Sequence, residues 1–183
     1  MSNDVTAVLA EIQGVLDKVN PSELTTLVDR LEQAPRVFVA GEGRSGLMGK
    51  AFAMRLMHLG VTVYAVGETI TPSVKDGDVV VVISGSGTTG GAVRTAENAR
   101  QAGAEVLAVT TDTSSPLARL AEHVLELPAA TKFRKEGEPS TIQPLSSLFD
   151  QNTHIALDVA CLDLARRRDV DNERARGAHS NTE

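Results

Sequence analysis

Tryptophan is absent from the chain, tyrosine occurs once and phenylalanine four times, so aromatic residues fill only 3% of its 183 positions. A surface that stacks unpaired nucleobases needs aromatic planes, and so few cannot build one. Positive charge is also scarce: 18 Lys and Arg against 24 Asp and Glu leave a formal net charge of −6. Binding along a nucleic-acid duplex requires a basic face, so nucleic acid is not an expected partner. Cysteine occurs once, at Cys161. One thiol closes no disulfide within the chain, and among its apolar neighbours it reads as a buried helix residue in a reducing, cytoplasmic setting. No apolar run is long enough to cross a bilayer, and Asp4 and Glu11 stand where an export signal would be basic. No membrane association is expected. Low-complexity tracts and internal repeats are missing too.

What the chain does have is 42% hydrophobic residues, enough for one sizeable core, and it reads as a single domain over 1–183. Val79-Val80-Val81-Val82-Ile83 sets five β-branched residues in a row with no alternation. That is the habit of a strand buried on both faces in a parallel sheet. It opens into Ser84-Gly85-Ser86-Gly87-Thr88-Thr89 and then a helical pattern from Gly90. A helix N-terminus entered through small hydroxyl residues presents free N–H groups and a positive dipole end, a ready phosphate site. Tight turns also collect Gly and Ser, but four hydroxyls and four glycines within 84–91 exceed what a turn requires. The Gly-Lys-Ser/Thr ending of a nucleotide loop is missing, so the expected ligand is a phosphorylated metabolite.

The remaining elements follow from periodicity. Two helices at 4–17 and 22–34 occupy residues 1–35, parted by Asn20-Pro21-Ser22 with Ser22 as the expected cap. A strand at 36–40 leads through Gly41-Glu42-Gly43-Arg44-Ser45-Gly46 to a helix over 47–59, and a second strand takes 61–66. After the third strand come a helix at 90–102, a strand at 106–110, a short helix from Ser115-Pro116 to 121, and a strand at 123–127. Residues 129–140, with Lys132, Arg134 and Lys135, read as a mobile surface loop; a long helix runs 146–168, and the polar tail 169–183 reads from composition as unstructured. Alternating elements over 36–168 predict an α/β fold, a doubly wound, flavodoxin-like parallel sheet of five strands with helices on both faces. Ligands bind such sheets where the strand order reverses, here between the first and third strands. Those are the two strands followed by glycine-and-serine loops, so both loops would face one ligand.

Gly41 to Gly46 also matches the dinucleotide pattern G-x-G-x-x-G, and Glu68 follows at about the spacing of a ribose-binding acid. Three observations count against NAD. Glu68 falls beyond the second strand, the third strand carries its own phosphate loop, and no second domain remains for a hydride acceptor. Arg44 and Ser45 fit better as a guanidinium and a hydroxyl aimed at the same sugar phosphate.

Three segments, Gly43-Arg44-Ser45-Gly46, Ser84-Gly85-Ser86-Gly87-Thr88 and Gln143-Pro144-Leu145-Ser146-Ser147-Leu148-Phe149-Asp150-Gln151, together resemble the SIS (sugar isomerase) family. With residues 54–60 and 67–72, the similarity is to its 6-phospho-3-hexuloisomerase branch and covers nearly the whole chain. The resemblance implies reversible conversion of D-arabino-3-hexulose 6-phosphate to fructose 6-phosphate, downstream of a 3-hexulose-6-phosphate synthase in ribulose monophosphate formaldehyde fixation. It implies no metal and no redox cofactor: a base removes the proton α to the carbonyl, a cis-enediolate forms, and the proton returns to the neighbouring carbon.

Carried over by position, Gly43, Arg44 and Ser45 with Ser84, Gly85, Ser86, Gly87, Thr88 and Thr89 would hold phosphate and sugar. Asp150 stands where the family has Glu and becomes the candidate base, one methylene shorter; Glu68 is a reserve carboxylate. The plain alternative for Asp150 is a first-turn acid that complements the helix dipole. Family tails run Arg-His-Ala-Asn-Leu-Glu, and Ala178-His179-Ser180-Asn181-Thr182-Glu183 keeps His179, Asn181 and Glu183 while replacing the Arg. By that likeness the tail reaches a neighbouring subunit's site in a homodimer or homotetramer, where His179 would assist ring opening or proton transfer. His58, His123 and His154 read as packed or interface histidines. Two other readings stand beside the isomerase: a non-catalytic sugar-phosphate sensor, and an SIS isomerase of an arabinose or heptose phosphate.

Overall fold

Five runs of β-branched and small apolar residues become the strands of one sheet. The computed structural model describes residues 2–182. Its order is α1 Ser2–Leu16, α2 Pro21–Gln33, β1 Val37–Gly41, α3 Gly43–His58, β2 Val63–Ala65, β3 Val79–Ile83, α4 Gly90–Gln101, β4 Glu105–Thr110, α5 Pro116–Leu120, β5 His123–Glu126, α6 Ser147–Arg167 and α7 Asn172–Gly177. The strands lie in the order β2-β1-β3-β4-β5, and each neighbouring pair is parallel. Alternate residues of one strand feed opposite cores, which explains why β3 shows no polar alternation. Val37, Val39, Val79, Val81 and Ile83 pack in one core with Leu27 of α2, Phe52 and Leu56 of α3, and Leu157 of α6. Phe38, Ala40, Val80 and Val82 pack in the other with Ala92, Ala96 and Ala99 of α4 and Leu117 of α5.

Four local findings depart from the sequence reading. Asn20, not Ser22, caps α2: its side chain accepts the Ser22 N–H at 3.0 Å, with Pro21 filling the first helical position. α3 starts at Gly43, so Gly43, Arg44 and Ser45 form its first turn instead of a preceding loop. The early start depends on Gly43 at φ +58° and on Gly46, where a Cβ would meet the Gly41 carbonyl oxygen at 2.6 Å. Residues 129–146 are not a loose surface loop but a hydrogen-bonded strap, described with the site below. The tail is structured where composition pointed to disorder. Asp171 caps α7 by accepting the Arg174 N–H at 2.8 Å, and Val170 packs against the core. Glu183, named in the tail comparison, lies outside the described residues.

One ion pair with a buried carboxylate fixes the amino ends of two interior strands, opposite the loops. Arg36 Nε donates to Asp78 Oδ1 at 2.8 Å, its second nitrogen contacts Oδ2, and the Lys75 N–H donates to the same carboxylate at 2.7 Å. Asp78 is buried and Arg36 partly so, which ties the start of β1 to the turn before β3.

Candidate active site

The reversal of strand order falls between β1 and β3, and the two helices that leave those strands pack on opposite faces of the sheet. Neither α3 nor α4 has a side-chain cap or an acidic residue in its first turn. Two helix N-termini without side-chain caps therefore open at one crevice. It holds a cavity of about 250 Å³, scaled to a small metabolite. Arg44, Ser45, Ser84, Gly85, Ser86, Thr89 and Asp150 line it.

The loop after β3 is built for this position. The Gly85 carbonyl accepts three bonds from the end of β4: the Thr111 N–H at 3.0 Å and the hydroxyls of Thr111 at 2.9 Å and Thr110 at 3.1 Å. Gly87 sits at φ +61°, and a Cβ on it would fall 2.1 Å from Ser115 Oγ. Ser84 Oγ donates to Thr89 Oγ1 at 3.1 Å and Thr88 Oγ1 to Ser86 Oγ at 2.9 Å, two pairs of neutral hydroxyls that can turn towards an anion. Gly43, Gly87 and Thr88 thus shape the loops without lining the cavity.

Asp150 reaches the same cavity from α6. Phe149 is fully buried, and its ring lies so close to Gly85 that a Cβ there would be 3.0 Å from Cδ1. That contact sets the first turn of α6 beside the loop. Asp150 is only 3% exposed; the Ser45 hydroxyl donates to Oδ1 at 2.9 Å, and Arg44 Nε lies 3.6 Å from Oδ2. Burial pushes its carboxyl above the ordinary carboxylate range, and the Ser45 hydrogen bond and Arg44 charge offset this only in part. Asp150 lies in the first turn of α6, and its side chain meets Ser45 and Arg44 in the cavity. A buried carboxylate of raised basicity, held by a hydroxyl and a guanidinium, is equipped to take a proton.

The strap between β5 and α6 supplies a wall to which the sequence reading gave no role: Thr131, Lys132, Phe133, Leu145 and Ser146, continued by Ser147 at the start of α6. Arg134 stitches it, donating to the carbonyls of Gln143 at 2.6 Å and Leu145 at 2.7 Å and contacting that of Thr131. Glu138 accepts the Thr131 N–H at 2.9 Å and hydroxyl at 2.6 Å. A lone basic run signals none of this; of these residues, Leu145, Ser146 and Ser147 stood inside a segment already singled out. Glu42 also lines the cavity, its carboxylate lying across Gly91, where a Cβ would be 1.6 Å from Oε1.

Two singled-out residues lie elsewhere. Glu68 pairs with Lys50 on the surface, both more than half exposed, and does not line the cavity. His179 stacks on His58 with ring centroids 5.3 Å apart, at the far end of α3, about 20 Å along the helix from Ser45. Burial, then the charges of Arg55 and His179, hold His58 below its ordinary value. His123 bonds the Glu23 carbonyl at 2.7 Å and His154 lies 3.6 Å from Asp158, both structural contacts. Cys161 is buried on α6, its thiol pushed up to about 12 by burial and by Asp158. Among the described residues, no group of three or more His, Cys, Asp or Glu is gathered as a metal site, and no helix is long and apolar enough to cross a membrane.

Known proteins resemble this chain in sequence and fold. A family model for the SIS domain matches residues 30–153. The 3-hexulose-6-phosphate isomerase of Mycobacterium gastri is 41% identical over 183 residues, covering 100% of this chain and 92% of the relative. That of Bacillus subtilis is 36% identical over 179 residues, covering 98% and 97%. A Methanococcus jannaschii crystal structure, described as inferring a molecular function of 3-hexulose-6-phosphate isomerase, superposes with a TM-score of 0.87 at 30% identity, covering 99% of each chain. The chain belongs to the SIS domain family.

Proposed function

We propose that the protein is an isomerase that interconverts D-arabino-3-hexulose 6-phosphate and fructose 6-phosphate. The observation that carries the reading is the placement of Asp150, a buried carboxylate of raised basicity beside an uncapped phosphate-type loop. Full-length relatives named 3-hexulose-6-phosphate isomerase support the substrate.

The phosphate sits at the N-terminus of α4 among the hydroxyls of Ser84, Ser86 and Thr89, with Arg44 and Lys132 supplying positive charge. Asp150 takes the proton from C2 of the 3-hexulose, the electron pair forms a C2–C3 double bond, and O3 becomes the oxyanion. Arg44 stabilises the developing charge, its guanidinium held beside the buried Asp150 carboxylate. Return of the proton to C3, with the O2 proton passing to the O3 oxyanion as the C2 carbonyl forms, gives fructose 6-phosphate. Every atom of the substrate is retained. Ser45 fixes the carboxylate's aim, which matters because Asp has one methylene less reach than Glu.

A homo-oligomer, a cytoplasmic setting and a place downstream of a 3-hexulose-6-phosphate synthase belong to the same proposal. Met54 on α3 and Val159 and Leu162 on α6 are each about half exposed on two helices that pack together, and an oligomer would cover them. His179 lies too far along α3 to serve the site of its own chain, so its catalytic part is confined to a neighbouring subunit's site. The reading is tested by adding purified protein to D-arabino-3-hexulose 6-phosphate and following fructose 6-phosphate by NMR. Conversion supports it; tight binding without conversion would make the protein a sensor.

A further inference from the structure

The strap over 129–146 has no helix or strand of its own, and a connection of that length in a compact domain is rarely idle. Its inner side walls the cavity. Its outer side is held by a residue far away in sequence, Glu11 of α1. One carboxylate accepts three donors from consecutive strap residues: the Thr141 hydroxyl at 2.7 Å, the Ile142 N–H at 2.8 Å and the Gln143 side-chain amide at 3.0 Å. Gln143 is buried, and its own N–H donates to Thr141 Oγ1 at 3.0 Å. Two residues on, Leu145 is held at φ +53°, a left-handed conformation that a branched side chain adopts only when its surroundings enforce it. The enforcing contacts converge there. Glu11 fixes residues 141–143, and Arg134 takes the carbonyls of Gln143 and Leu145. The next residue, Ser146, lines the cavity and accepts the Asp150 N–H at 3.0 Å in the first turn of α6.

We propose that Glu11 is a positioning residue of the active site. It clamps 141–143 so that Leu145 and Ser146 wall the substrate cavity and α6 enters beside the phosphate loop. The proposal rests on the isomerase reading for its substrate, but not for its geometry. It gives the N-terminal helix a function in ligand binding, although α1 contributes no atom to the cavity.

The test replaces Glu11→Ala and, from the strap side, Thr141→Val, which leaves α1 untouched should the first variant fold poorly. Two quantities are read in each full-length protein: amide hydrogen exchange over 131–146, and calorimetric affinity for fructose 6-phosphate alongside kcat and KM. Removing a charged acceptor shared by three donors is expected to speed strap exchange and to weaken sugar-phosphate binding about tenfold, seen in KM more than in kcat. Glu11→Gln, which keeps a carbonyl acceptor, is expected to recover part of the affinity. A merely structural contact would lower thermal stability and leave KM alone. Unchanged strap exchange in both Glu11→Ala and Thr141→Val overturns the clamp whether or not any sugar binds. Faster exchange with unchanged affinity overturns the positioning role. Failure of the wild-type protein to bind fructose 6-phosphate would count against the isomerase reading instead.

Discussion

Asp150 is the base of the proposed reaction, and its burial gives predictions of opposite sign for activity and stability. Asp150→Asn removes the base and is expected to lower kcat about 10³-fold while fructose 6-phosphate still binds. The raised carboxyl costs the fold stability once ionised. That cost is nil below the unfolded value, near 3.8 for the free side chain, and grows as pH rises through the folded value. Asp150→Asn is therefore expected to melt higher than wild type at pH 7, the gap closing towards pH ~3.5; a lower melting temperature at pH 7 would refute the argument. The acid limb of kcat/KM in the wild type is expected above the ordinary carboxylate range, because protonating Asp150 removes the base. Gly87 makes the second case. A Cβ there meets Ser115 and requires a left-handed backbone, so Gly87→Ala is expected to cost about 2 kcal/mol in urea unfolding. Sequence alone singled out both residues, Gly87 by its place in a hydroxyl-rich loop and Asp150 by its family segment. The Ser45 bond to Asp150 was not legible, because it joins residues 105 positions apart.

Elements with strong periodicity were read closely: β3 at 79–83 is residue for residue the run of β-branched side chains, and α4 and α6 lie within a residue or two of expectation. Misreadings cluster where side-chain hydrogen bonds decide. Glycines at 41–46 look like a loop but serve close packing of the α3 first turn on β1. The strap is polar, which composition equates with mobility, yet Arg134, Glu138 and Glu11 satisfy its backbone one group at a time. The Arg36–Asp78 pair escaped notice for the same reason, since 42 residues part its members. Arg36→Ala would leave the Asp78 carboxylate buried without its cation and is expected to destabilise the fold by about 2 kcal/mol, measured by urea titration. The damage should fall at the amino ends of β1 and β3, away from the cavity, so KM for the sugar phosphate is expected to hold.

At the scale of the whole molecule, the strand order followed from the sequence by a short inference. Two buried strands each end in a small-residue loop, and only a reversal between them lets both loops serve one ligand. The tail resisted that logic, because a six-residue helix with one cap and one apolar anchor leaves almost no periodic signal. Its end stacks His179 on His58, away from the chain's own cavity. If a neighbouring subunit receives the tail, removing residues 178–183 is expected to slow turnover while leaving monomer stability unchanged; unaltered kinetics would confine the tail to a structural role. The central claim is isomerisation through a C2–C3 enediolate formed by Asp150, and solvent exchange tests it most directly. Fructose 6-phosphate is incubated in D₂O with the wild-type protein and with Asp150→Asn, and proton NMR follows C1 and C3. The expected result is deuterium at C3 with the wild type and none with the variant. Deuterium at C1 alone, or equal exchange at C3 in both proteins, would contradict it.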